Sequence, residues 1–104
     1  MERNMKRNHH EDYRVALRQV QEIWASKLAH VYHDLVDVMT EVEKENLIAS
    51  QKAWAQHKRE EIEALQSFFS KGSYVSSSPY YLEYAKITLL KSRVSFLKEY
   101  LKSH

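Results

Sequence analysis

The sequence predicts an all-α fold, an antiparallel three-helix bundle with long helices. Three observations predict it. The chain of 104 residues holds one Gly and one Pro, too few for a turn-rich β protein. It is rich in Ala, Leu, Glu, Lys and Gln, which favour helix. Apolar residues recur at steps of three and four over three separate segments. A chain of this length makes one domain and buries roughly 60% of its unfolded surface, enough for a single core. Residues 1–10 read as a flexible polar tail, and residues 11–104 as a single helical domain.

The first helix is predicted over 11–39. Tyr13, Leu17, Val20, Trp24, Leu28, Val31, Leu35 and Val38 make a near-heptad stripe. Ala16, Ile23, Tyr32, Val36 and Met39 widen it, so this helix is expected to touch both others. Asp34 and Asp37 oppose the helix dipole near its C-terminal end and call for a neighbouring partner.

Thr40-Glu41-Val42-Glu43 has the form of a capping box, so a turn is expected near Met39 and Thr40. The alternative is one continuous helix from Glu11 to Ser70, about 90 Å long, which could bury its stripe only by dimerising. The second helix is predicted over 41–70, ending before Gly72 as a C-cap. Its stripe is Leu47, Trp54, Ile62, Leu65 and Phe69, with Gln51 and Lys58 at intermediate positions. Two readings of those polar positions stand. In one the stripe is tilted, with Lys58 laying its stem over the core. In the other Gln51 is buried and hydrogen-bonded to a neighbouring helix, since an unpartnered amide there would cost about 1–3 kcal/mol.

Lys71 to Ser78 is the loop-like segment, and Ser78-Pro79 starts a third helix over 79–102. Tyr80, Tyr84, Ile87, Leu90, Val94, Leu97 and Leu101 form its stripe. Lys86, Lys91, Arg93, Lys98 and Lys102 outnumber Glu83 and Glu99 and give it a basic face. The second helix leans acidic through Glu41, Glu43, Glu45, Glu60, Glu61 and Glu63. Antiparallel packing of the two is expected to set opposite charges near each other, at about 0–1 kcal/mol per exposed pair. Trp24 and Trp54 are expected where the first two helices cross.

The formal charge is +2, from 16 basic and 14 acidic residues. That near balance lacks the basic excess of a nucleic-acid protein. No apolar run reaches the roughly 18 residues of a membrane span. There is no cysteine, hence no disulfide framework. The N-terminus MERNMKRNHHED is too polar for a signal peptide. The expectation is then that the protein is kept inside the cell, or that a signal has been removed.

No catalytic constellation emerges: there is no Cys nucleophile, Gly-rich phosphate loop or His-Glu-x-x-His. No His has Glu three residues before it, as a di-iron bundle site requires. His9 and His10 lack further ligands around them. His30, His33, Asp34 and Asp37 share two turns, where one helix supplies few convergent metal ligands. No cofactor or metal is expected. Tyr74, Tyr80, Tyr81 and Tyr84 exceed what one stripe needs; they form a core edge or a contact surface.

Gln51-Lys52-Ala53-Trp54, followed by Lys58, resembles the Gln-Arg-Ala-Trp helix of the lysozyme inhibitor LprI family. Leu28 and Tyr32 resemble that family's Leu-Asn-x-x-Tyr helix, with Ala29 in place of Asn. Gly72-Ser73 resembles its Gly-Ser loop, and Arg93 with Leu97 its Arg-x-x-x-Leu helix. The resemblance spans roughly Leu17 to Leu101. Family members carry disulfide cysteines and are exported; Ile62 and Ala85 stand about where two of those cysteines fall, which implies that the two lie side by side.

The resemblance implies a non-enzymatic protein-binding domain with lysozyme as a candidate partner. Gln51, Trp54, Lys58 and Arg93 are its structural motif. The contact region is expected at Lys71, Tyr74, Tyr80 and Tyr81, because loops on a rigid scaffold carry function. An acidic patch at Glu41–Glu45 or Glu60–Glu63 could meet a basic lysozyme surface. The alternative is an intracellular scaffolding domain acting through self-association as a homo-oligomer or through partner helices.

Overall fold

The structure, a computed structural model, describes residues 9–71 and 78–103. Three helices cover them: α1 (His9–Asp37), α2 (Glu41–Phe69) and α3 (Ser78–Lys102). The expected boundaries hold to within about two residues, and α1 takes in His9 and His10 from the expected tail.

The chain breaks between α1 and α2 where the capping box lies. Val38 N–H reaches back to the Leu35 carbonyl at 3.1 Å and Met39 N–H to that of Val36 at 3.3 Å, tightening the last turn. Thr40 is extended, with φ −73° and ψ 169°. Its N–H donates to Glu43 Oε1 at 2.8 Å and its Oγ1 accepts from Glu43 N–H at 3.2 Å. Two otherwise orphaned donors are thereby satisfied, and the continuous helix is excluded. At the other end of α2, Ser70 N–H bonds the Gln66 carbonyl at 3.0 Å. Gly72, expected as the cap, lies outside the described residues.

α3 is the hub. α1 packs along it closely, α2 meets it more sparsely, and α1 and α2 barely touch. The core is Leu28, Val31 and Leu35 of α1, Leu47 of α2, and Leu90, Val94 and Leu97 of α3. Leu47 is the one buried residue of α2. The molecule is therefore flat, 58 × 33 × 17 Å. Its radius of gyration, 17.6 Å, exceeds the about 13 Å of a compact domain this size.

This layout corrects several expectations. α1 does not span two neighbours, so Ile23 (55% exposed), Val20 and Val38 face solvent. The tryptophans do not mark an α1–α2 crossing. Trp24 lies between Lys27 of α1 and Lys91 of α3, 5.4 and 5.5 Å from its ring, and Trp54 meets Arg93 of α3. No ion pair joins α2 to α3 among the described residues. Asp37 pairs within its own helix, with His33 at 3.7 Å. An ion pair joins α1 to α3, Arg18 with Glu83 at 3.9 Å.

Candidate functional site

Antiparallel order brings the start of α1, the end of α2 and the start of α3 to one end of the molecule. Among the described residues, Tyr13, Phe68, Phe69, Tyr80, Tyr81 and Tyr84 gather there. Tyr13 lies 5.3 Å from Tyr80 and 6.3 Å from Tyr84, ring centroid to centroid. Phe69 stacks on Tyr81 at 5.0 Å with ring planes 13° apart, and Phe68 meets Phe69 edge-on at 5.1 Å. Offset and edge-to-face pairs of this kind contribute about 0.5–1.5 kcal/mol beyond the area they bury.

These rings pack on one another, and four of them stay open to solvent. Tyr13 (45%), Phe68 (54%), Tyr81 (50%) and Tyr84 (46%) remain about half exposed. The Tyr13 and Tyr84 hydroxyls hydrogen-bond each other, and that bond, followed by burial, raises the Tyr84 pKa above its ordinary value. Stacked aromatics held in place while still wet are the surface composition that protein interfaces favour.

Of the expected contact residues, Tyr80 and Tyr81 belong to this cluster, and Lys71 is exposed just beyond α2. Tyr74 lies outside the described residues. Tyr13 went unpredicted as a contact residue, because the helical stripe reads a terminal aromatic as core, and Phe68, one position off the α2 stripe, was not singled out. The exposed acids Glu60, Glu61 and Glu63 lie on the same half of α2.

The second constellation centres on Trp54. Arg93 is buried, 7% exposed. Its Nε donates to Gln51 Oε1 and its Nη2 to Ser50 Oγ, each at 3.0 Å. Its guanidinium carbon lies 5.9 Å from the Trp54 ring and 5.6 Å from that of Phe96. Lys58 Nζ is 5.5 Å from the Trp54 ring. Burial lowers the Arg93 pKa, yet a guanidinium begins so high that it stays charged. Gln51, Trp54, Lys58 and Arg93 thus meet in space; Gln51 bonds a neighbouring helix as the second reading expects, but it is half-buried rather than buried. The basic face expected of α3 loses Arg93 to this interior role.

Glu83, expected on the charged face of α3, is buried as well. It accepts from Gln21 Nε2 at 2.7 Å and lies 3.7 Å from Lys86 Nζ. His33, Asp34 and Asp37 bring ligand atoms within 4.8 Å of one another, but all three are exposed. His30 Nδ1 instead bonds the Ser26 carbonyl at 2.8 Å. Ile62 and Ala85 are both half-buried. Among the described residues, no helix is long and apolar enough to cross a membrane. Comparison of the chain with protein-family models, curated proteins and solved structures finds no match.

Proposed function

We propose that this chain is a non-enzymatic protein-binding domain whose contact surface is the aromatic end. The observation that carries the reading is the half-exposed cluster of Tyr13, Phe68, Tyr81 and Tyr84, drawn from all three helices. Rings already locked in stacked pairs lose little freedom on binding, so their burial by a partner converts more fully into affinity. Lysozyme is the partner that the family resemblance implies. Glu60, Glu61 and Glu63 supply negative charge on the same half of α2, suited to a basic partner surface.

A second reading is scaffolding by self-association, favoured by the flat shape and by the one buried residue of α2. One set of measurements separates the readings. Purified protein is added to a lysozyme lysis assay, and its mass is followed by sedimentation, for wild type and for Phe68→Ala/Tyr81→Ala. Inhibition lost in the variant supports the lysozyme reading. Concentration-dependent dimers lost in the variant support scaffolding. If the wild type at tens of micromolar, an affinity of about −6 to −7 kcal/mol, neither inhibits nor associates, both readings fail.

A further inference from the structure

A cleft of about 350 Å³ opens where the three helices approach one another midway along α2. It is lined by Gln21 of α1, by Lys58, Arg59, Ile62 and Glu63 of α2, and by Lys86 of α3. Three cations against one carboxylate leave its wall with two positive charges in excess. Outside the wall the charges are mixed, with Glu60 and Glu61 exposed on α2 next to Arg59. Glu83 lies beside Lys86 at 3.7 Å, but it also has Arg18 at 3.9 Å, so those two neighbours offset each other. Lys58 forms no ion pair with a carboxylate among the described residues.

The cations are also held in place. Lys58 is half-buried, with its ammonium over the Trp54 ring at 5.5 Å. Lys86 is anchored toward Glu83, with its side chain 33% exposed. Arg59 Nη2 donates to the Gln56 side chain. Folding therefore holds like charges together at the cost of their repulsion. The Lys58 pKa shows that cost: burial, then Lys86, then Arg59 lower it from its ordinary value. Such an arrangement is relieved by an anion, and it costs little further order to bind one.

We infer that this cleft is a binding site for a small dianionic oxyanion of the phosphate monoester class. Lys58, Lys86 and Arg59 contact the phosphoryl oxygens, and Ile62 offers an apolar wall to the organic substituent. Two negative charges match the excess; a monoanion leaves part of the repulsion in place. The site is independent of the aromatic end.

The test is a titration of the full chain with inorganic phosphate and with phenyl phosphate. The Ile62 methyl and Gln21 side-chain amide resonances are followed, against chloride at matched ionic strength. Saturable shifts are expected with a Kd near about 1 mM, tighter for phenyl phosphate. Lys58→Gln/Lys86→Gln should weaken binding by about tenfold or more, while Lys58→Arg stays within about threefold. Glu63→Gln, which removes the one lining carboxylate, should tighten binding and serves as a readout independent of any loss of fold in the double variant. The inference is overturned by shifts that do not saturate, by equal shifts in chloride, or by a Glu63→Gln variant that binds no more tightly.

Discussion

Arg93 of α3 donates its Nε to Gln51 Oε1 of α2 at 3.0 Å, a charged side chain spending its hydrogen bonds on neutral partners inside the molecule. Its other bonded nitrogen takes Ser50, also on α2. Because α2 buries only Leu47 fully, this fork is a large part of what fixes its register against α3. Gln51→Ala should lower stability by about 1–3 kcal/mol, the cost of leaving a buried donor unmatched. Arg93→Lys should cost about 2–3 kcal/mol, since an ammonium cannot reproduce the planar fork. Urea denaturation measures both. A double-mutant cycle with Arg93→Ala and Gln51→Ala should give a coupling of about 1 kcal/mol or more, and a coupling near zero would separate the two residues energetically.

Thr40→Ala removes the side-chain half of the capping box and should cost about 1 kcal/mol. Thr40→Gly should cost less from the lost cap alone, because Gly is itself tolerated at this position. Thermal unfolding of the pair checks the order. A silent Thr40→Ala would mean that packing of Leu47, rather than the cap, starts α2.

Trp54→Ala should cost about 2–3 kcal/mol, below the 3–5 kcal/mol range of fully buried aromatics. The ring is half-buried, and the loss includes its contacts with Lys58 and Arg93. A loss under about 1 kcal/mol, typical of a surface site, would remove Trp54 from the packing of α2 on α3.

The Tyr13–Tyr84 hydroxyl pair sets an alkaline limit. The folded Tyr84 holds its proton above its ordinary value of 10.0, so the folded state binds more protons than the unfolded one above that pH. The contribution is complete below about pH 10 and is lost as pH rises through the folded value. Lys58 acts with the opposite sign, since its lowered pKa makes folding more favourable as pH approaches 10.5 from below. The difference between wild type and Tyr84→Phe isolates the tyrosine. That difference should shrink between about pH 9 and about pH 11 in chemical denaturation series, and a constant difference would contradict the assignment.

Much of the fold was legible because its signals are local. The Thr40–Glu43 capping box marked the break between helices, and stripe spacing marked Leu28, Val31, Leu35, Leu90, Val94 and Leu97 as core. What misled was the assumption that every apolar stripe is covered. Val20, Ile23 and Val38 continue the α1 pattern yet are exposed, because α1 meets one neighbour rather than two. Periodicity records which face a helix could bury, but not how many helices arrive there. Glu83 misled in reverse: a charged residue among lysines reads as solvated, and only its long-range partner Gln21 explains its burial. Arg93 was read both on the basic face of α3 and in a structural motif with Gln51, and the second placement holds. The aromatic end was half legible, since Tyr80 and Tyr81 drew notice while Tyr13 and Phe68 depended on the antiparallel order of the helices.

The pairing of the first helix with the last has a consequence during synthesis. α1 leaves the ribosome first, but its packing partner α3 is made last. α2 appears in between and meets α1 only sparsely, adding Leu47 to the core, so it covers little of Leu28, Val31 and Leu35 meanwhile. The nascent chain stays open until residues 78–102 emerge, and closing so long a separation sets the entropic barrier to assembly. A product terminated within α3 would leave two helices without a shared core, as a substrate for chaperones and proteases rather than a smaller working domain.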